Sequence, residues 1–439
     1  VDYHYPKGPA LKTRNATTTT RRNFLRASAA IGLFTIVPRK ALGGPGVTAP
    51  SEELTKAVIG VGGMGRGHLS MPGSRLLAVC DVDRAHLAKA MEIGKQVTGD
   101  DVTGYADFRE VLDRSDIDIV HIPTPPHWHA LISVAAARAG KDIWCEKPMA
   151  RTIYESQQVV KAVQEHGRIF RLNTWFRFQG TFYGMDCEVK EIKKVVENRL
   201  LGWPLKVTVG ATTGFNWKVD QWSGRTDLKP EPVPEVLDYD LWLGPAPWKP
   251  YSAHRTHATF RGYWDYDGGG LGDMGQHYLD PVQYLLEKDD TGPVEIEVDA
   301  PQQHDDAVGS WRRITYRYAD GCEIVLDGVG ADQGAAYIEG PEGKLFPKLE
   351  STITGLKEKV AALPDPAPQI GDFSEAVRTR QKFALNESNG HRSCSLVNLG
   401  VIAVRLGRNL KYDPVAERFI DDEGANRLLK QPMRGPWQI

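Results

Sequence analysis

At 439 residues the chain exceeds what one hydrophobic core usually serves, so two domains are the expectation. Its 54 basic and 56 acidic side chains leave a formal charge of −2, which provides no electrostatic footprint for nucleic acid or for an anionic membrane surface. Five cysteines, an odd number with no C-x-x-C pair and three of them in apolar strand-like runs, read as buried thiols rather than a disulfide framework or a metal set.

The N-terminus stands apart from the fold. Thr20-Arg21-Arg22-Asn23-Phe24-Leu25, the apolar stretch Ala27 to Val37 and the small residues Ala41 and Gly43 look like a twin-arginine export signal over residues 1–43, with a linker at 44–54. The apolar stretch is too short for a stable membrane anchor. The expected location is therefore the periplasm, or outside the cell by the same route. Free nicotinamide cofactor is scarce there. At an on-rate of about 10⁶ M⁻¹s⁻¹ a micromolar cofactor leaves within about a second, whereas retention for hours needs a Kd on the order of 10⁻¹⁰ M. A tightly held cofactor follows.

The organising stretch is Lys56 to Gly67. Ala57 to Ile59 leads into G-x-G-x-x-G at Gly60, Gly62 and Gly65, the pattern of a buried strand turning into a helix whose free N–H groups face a pyrophosphate. A second strand, Arg75 to Cys80, ends at Asp81, 21 residues past Gly60, where an acid for the adenosine ribose belongs. That carboxylate repels a 2′-phosphate and favours NAD, with Arg84 leaving NADP as the alternative.

Helices are expected near Arg84 to Val97, from Asp107, over His129 to Ala139 and after Thr152, with strands at Ile117 to Ile122 and Asp142 to Cys145. This alternation gives an α/β fold, a doubly wound Rossmann dinucleotide-binding domain over 55–172. Beyond it, seven of the eleven tryptophans fall between Trp175 and Trp264, and Leu205 to Gly210 reads as a strand. Trp311 to Tyr318 and Cys322 to Leu326 flank Asp320-Gly321 as a hairpin. The second domain, 173–410, is thus α+β with an antiparallel sheet and one or two helices after 374. Residues 411–439 read as an irregular tail.

Two clusters carry chemistry. Cys145-Glu146-Lys147-Pro148 ends a strand on the edge where doubly wound sheets bind ligands, and Pro148 stiffens the segment presenting Lys147. In Gly268 to Asp280, a helix starting at the glycines puts Asp273 and His277 at i and i+4 on one face, where a carboxylate can orient an imidazole as general base.

Together with Thr124-Pro125 through His129, these motifs resemble the Gfo/Idh/MocA oxidoreductase family over about residues 55 to 410. The resemblance implies a C-terminal domain with a large, mostly antiparallel sheet that often makes oligomer contacts, hence a homo-oligomer, dimer or tetramer. It also implies site roles. Lys147 polarises the reacting oxygen, His277 takes the hydroxyl proton and Asp273 holds His277. Gly60, Gly62, Met64 and Gly65 line the pyrophosphate, Asp81 the ribose, and Thr124, Pro125, His129 and Glu146 the nicotinamide half together with Lys147. A small carbohydrate is the expected substrate, since sugars stack on aromatics and pair with charged rims; Trp175, Arg177, Trp222, Arg255 and His257 are the candidates to hold it. His127-x-His129 and His254-x-x-His257 offer no third ligand, so no metal is expected. The leading expectation is an exported NAD(P)-dependent enzyme oxidising a sugar ring hydroxyl. The alternatives are a redox-neutral NAD-dependent glycosidase working through a transient 3-keto intermediate, whose known relatives differ in the Asp273-x-x-x-His277 motif, and a non-catalytic dinucleotide- or sugar-binding protein.

Overall fold

The computed structural model describes residues 53–174, 177, 181, 184–210, 222–332 and 334–439. The expected export signal, most of the linker and Trp175 lie outside them. Residues from Leu54 onward form one compact unit. Its first half alternates strand and helix: β1 (Thr55–Ile59), α1 (Gly63–Leu69), β2 (Arg75–Cys80), α2 (Arg84–Thr98), β3 (Thr103–Tyr105), α3 (Phe108–Leu112), β4 (Ile119–Ile122), α4 (Pro126–Arg138), β5 (Asp142–Cys145), α5 (Ile153–Glu165) and β6 (Phe170–Leu172). The strands pair in parallel in the order β3-β2-β1-β4-β5-β6. β1, β4 and β5 are buried along their whole length, as a sheet covered by helices on both faces requires. The order reverses between β1 and β4, and there the carboxyl ends of the strands open a crevice.

Local chemistry sets the helix starts. Asp83 caps α2 by accepting from the Ala85 and His86 amides, Asp107 caps α3, and the Thr152 hydroxyl accepts from Glu155 N to start α5. One boundary differs from expectation. The fourth helix begins at Pro126 rather than at His129, because a proline at the first helical position needs no N–H partner and its fixed φ suits the turn.

The second half contributes α6 (Val189–Glu197), β7 (Lys206–Val209), α7 (Tyr239–Leu243), α8 (Gly269–Leu285), β8 (Glu295–Asp299), β9 (Arg313–Arg317), β10 (Glu323–Asp327), β11 (Ile338–Gly340), β12 (Gly343–Leu345), α9 (Leu356–Ala362), α10 (Phe373–Thr379), α11 (Glu387–Leu406), β13 (Leu410–Asp413), β14 (Arg418–Phe419) and α12 (Glu423–Asn426). Eight strands form a second sheet, β12-β11-β7-β10-β9-β8-β13-β14, antiparallel except for the parallel pair β7 and β10. β9 and β10 join as the hairpin read from Asp320-Gly321, with Gly321 at φ +87° making the turn. α8 and α11 pack against this sheet through Leu271, Leu279, Leu396 and Leu399, all within one apolar core.

Two departures concern boundaries. The segment after 410 is not simply an irregular tail, since β13 pairs with β8 and carries β14 with it, extending the sheet. The chain also returns to the first half: Phe373, Phe383, Leu385 and Cys394 join its core, with Met433, Trp437 and Ile439 packed on that core. A single cut at residue 172 therefore does not separate the two cores. All five cysteines are buried and unpaired by disulfide. Among the described residues no helix is long and apolar enough to cross a membrane.

Candidate active site

The glycine-rich turn is built as its spacing requires. Gly60 adopts φ +92° and donates its amide to Cys80 O at 2.7 Å, joining β1 to the end of β2. A Cβ on Gly65 would lie 1.9 Å from Gly60 O, so only glycine lets α1 start this close to the strand. Asp81 accepts from Val61 N at 2.8 Å through Oδ2 and from Asp83 N at 2.9 Å through Oδ1. Burial pushes its carboxyl up from the usual range, opposed by those two hydrogen bonds.

These groups border a cavity of about 400 Å³ at the crevice between β1 and β4. Gly60, Gly62, Met64, Asp81, Thr124, Pro125, Glu146, Lys147 and Asp273 are all on its wall, so the sequence motifs converge on one site. The Thr124 hydroxyl is buried there with no hydrogen-bond partner among the described residues. A glycine-lined crevice with an orphaned buried hydroxyl on one lining residue and a carboxylate placed for a ribose fits a dinucleotide across the strand ends. His129 is set further back. Its Nδ1 meets Pro148 O and its Nε2 meets Thr124 O, each at 2.7 Å, so it braces two wall segments instead of touching the cavity.

Lys147 crosses to the second half of the chain. Its Nζ donates to Asp273 Oδ1 at 2.9 Å and to the Asp273 carbonyl. Arg261 Nε also donates to Oδ1 at 2.8 Å, and Trp222 Nε1 donates to Oδ2 at 2.8 Å. Burial alone would raise the Asp273 carboxyl, but the Lys147 and Arg261 charges dominate and hold it far below the usual carboxylate range. The carboxylate expected to orient His277 thus also serves as the anchor of Lys147. Gln276 secures the same junction, accepting from Met149 N at 3.0 Å and donating to Gly390 O and Ser393 Oγ.

His277, one turn along α8, is buried and lies behind the cavity wall, with Nδ1 2.8 Å from Thr174 Oγ1 just beyond β6. Burial, with help from the Lys147 charge, lowers its pKa to about 3, so the imidazole is neutral near pH 7. Glu146 accepts from His68 Nε2 at 2.9 Å and from Asn173 Nδ2 at 2.5 Å. Burial pushes it up, yet the His68 hydrogen bond and nearby positive charges win and bring it to about 2. A further acid lines the cavity. Asp267 is raised to about 7, chiefly by burial and then by the Asp273 charge, while its Oδ1 accepts from Gly268 N.

The expected sugar-binding set fares differently. Arg177 is fully buried and paired with Asp280 and Asp289, so it ties the start of the second half to α8 and meets no ligand. Arg255 is spent on Asp306 and on the Tyr263 ring. His257 lines the cavity but at its adenosine end, 3.5 Å from Asp83, and burial lowers its pKa. His254 bonds Tyr263 instead of joining His257, and His127 turns to Trp242 O, away from His129. Trp222 does reach the site, through Asp273. Sequence reasoning missed Thr174, Arg261 and Asp267. The last two flank the Asp273 helix in sequence, and that proximity was the available signal.

The chain matches two family profiles: the NAD-binding Rossmann fold of the oxidoreductase family over residues 54–174, and the C-terminal α/β domain of the Gfo/Idh/MocA oxidoreductase family over 185–439. Among curated relatives, an alpha-N-acetylgalactosaminidase of Shewanella oneidensis is 34% identical over 172 residues, 33% of this chain and 37% of the relative. A glycosyl hydrolase family 109 protein of Shewanella sp. ANA-3 is 35% identical over 172 residues, again 33% and 37%. The alignment thus spans little more than a third of those relatives. Similar solved folds include the WlbA dehydrogenase of Bordetella pertussis in complex with NADH and UDP-GlcNAcA, at TM-score 0.56 and 16% identity over 82% of this chain and 99% of that one. A levoglucosan dehydrogenase in complex with NADH gives TM-score 0.51 and 19% identity over 82% and 99%. With a glycine-lined crevice for NAD and both of its halves matched, the chain belongs to the Gfo/Idh/MocA family of NAD-binding oxidoreductases.

Proposed function

We propose that this oxidoreductase takes a hydride from a ring CH–OH of a sugar or glycoside and holds its NAD between turnovers. The observation carrying this reading is that Asp273 anchors the Lys147 ammonium on the cavity wall at the strand ends, with His277 a neutral imidazole one turn along the same helix just behind that wall. NAD, when bound, supplies the hydride acceptor. The chain supplies the rest. Lys147, held in place by Asp273, donates a hydrogen bond to the reacting oxygen and stabilises the charge developing on it. His277 receives the hydroxyl proton; the tautomer that donates from Nδ1 to Thr174 Oγ1 leaves Nε2 as the basic nitrogen. Its low pKa keeps the lone pair available but makes it a weak acceptor, so the proton moves as hydride departs and the hydroxyl becomes more acidic. Positioned proton transfer of this kind contributes about 10²- to 10⁴-fold. The reading includes export by the twin-arginine route and a homo-oligomer formed through the eight-stranded sheet.

Asp267 favours a second reading. A buried carboxyl raised to about 7 on the cavity wall still holds its proton in a large fraction of molecules near neutral pH. Such a group can protonate the leaving oxygen of a glycoside whose C2 proton has been acidified by transient oxidation at C3. The curated relatives named as glycosyl hydrolases point the same way. A panel of sugars and nitrophenyl glycosides separates the two. Net absorbance change at 340 nm with free sugars supports oxidation; nitrophenol release at constant 340 nm absorbance supports cleavage; neither signal with any compound sinks both.

A further inference from the structure

Three potential ligands from separate parts of the chain meet at the adenosine end of the cleft. Asp83 uses Oδ1 to cap α2, accepting from Ala85 N at 2.8 Å and His86 N at 3.2 Å, and its Oδ2 faces His257 Nε2 at 3.5 Å. The imidazole rings of His86 and His257 lie 4.9 Å apart between centroids. One ligating atom from each of Asp83, His86 and His257 falls within 4.8 Å of the others. His257 reaches this point in the left-handed region, φ +52°, on the 3-10 turn His257–Gly262. A histidine held in that conformation is uncommon, and here it aims the ring at α2.

We propose that Asp83, His86 and His257 bind a transition-metal dication of the zinc class, which clasps the 253–262 segment to α2 over the adenosine end of the cleft. Tetrahedral bonds of about 2.0 Å place ligand atoms about 3.3 Å apart; Asp83 and His257 stand at 3.5 Å and all three within 4.8 Å, so side-chain rotations draw the set together. Two imidazoles with one carboxylate select zinc, cobalt or nickel over magnesium or calcium. The fourth position is left to water. The N-terminal end of α2 opposes a cation weakly. Asp81, whose Oδ2 lies 3.8 Å from His86 Nδ1, adds a second carboxylate that outweighs it. The neighbouring Arg84 guanidinium is turned to Glu235 O. The start of α2 is already tied to residues 236–238, where Arg84 N donates to Val236 O and Asp238 N to Val82 O, and the metal adds a second fastening at His257.

His86 and His257 also wall the cavity that holds Asp81, so closing them together obstructs nucleotide exit. This consequence rests on the cofactor-retention reading above; the site itself does not. The test uses chelator-treated full-length protein titrated with Co²⁺. The expected result is one Co²⁺ per chain with the visible absorption of a tetrahedral complex, lost in both His86→Ala and His257→Gln and kept in His254→Ala. Thermal melting of each variant confirms folding. With Zn²⁺ added, NAD release from wild type should slow about tenfold, a usual coupling between linked sites, and should not slow in His257→Gln. Binding absent in wild type, or unchanged in the two ligand variants, overturns the site. Metal binding with unaltered NAD release overturns the clasp.

Discussion

Asp273→Asn discriminates between the two roles open to this carboxylate. In the structure it neutralises two cations, Lys147 and Arg261, and accepts from Trp222. The asparagine keeps the volume but leaves those cations without a counter-charge. If its oxygen stays toward Lys147 and Arg261, its amide nitrogen faces Trp222 Nε1 across 2.8 Å, donor against donor. Breaking a buried ion pair by removing one partner costs about 3–5 kcal/mol. Retained shape and one surviving acceptor place the expected loss near about 3 kcal/mol, read as a lower urea midpoint. An unmoored Lys147 should also lower kcat/KM for hydride transfer by about 10²-fold, or about 2.7 kcal/mol. The decisive assay is a pair of double-mutant cycles. Coupling of Asp273→Asn with Lys147→Met should reach at least about 1.5 kcal/mol and exceed its coupling with His277→Gln. Additive effects with Lys147, alongside strong coupling to His277, would refute the anchoring role.

Arg177→Ala strips a guanidinium from two carboxylates, Asp280 and Asp289, and should destabilise by about 3–5 kcal/mol while leaving the KM for substrate unchanged in protein that remains folded. A raised KM without lost stability would restore Arg177 to the substrate site. Asp267 has a stated pH signature. Its folded pKa of about 7 exceeds the unfolded value near about 4, so the native state binds the extra proton between them and stability falls as pH rises across that window. The full effect is of order 4 kcal/mol, and Asp267→Asn should remove it, flattening the urea midpoint between pH 4 and about 7. An unchanged slope would contradict a protonated Asp267. Gly65→Ala forces a Cβ to 1.9 Å from Gly60 O and should abolish NAD binding, checked by nucleotide content; normal content would contradict the close packing.

What was legible in the sequence is what local chemistry determines. The Gly60-x-Gly62-x-x-Gly65 turn, the Thr152 cap and the Asp320-Gly321 hairpin each need particular residue types at fixed spacing, and each formed as read. Long-range pairing was not legible. Lys147 and Asp273 are 126 positions apart, and nothing in either motif names the other as its partner. The i, i+4 spacing correctly placed Asp273 and His277 on one helix, and did not foretell that Arg261 and Trp222 reach the carboxylate from outside it. Arg177 misled because a guanidinium beside aromatics suits a sugar. Its true partner, Asp280, continues the stripe of Asp273 and His277 along α8, and that continuation was the signal of an inward-facing pair. The tail was misread since β13 and β14 are short strands at one end of the sheet, held there by the pairing of β13 with β8, more than a hundred residues earlier.

The most direct measurement of the central claim starts from full-length protein purified without added cofactor. Its nucleotide is released and quantified, and the intact protein is then titrated with sugars at 340 nm, wild type beside His277→Ala. The account predicts stoichiometric NAD(H), an absorbance change with at least one sugar in wild type, and a loss of about 10²-fold or more in that rate for the variant with nucleotide content unchanged. Equal rates in the two proteins would contradict the assignment of His277 as the base, and a protein that arrives empty would contradict retention of the cofactor.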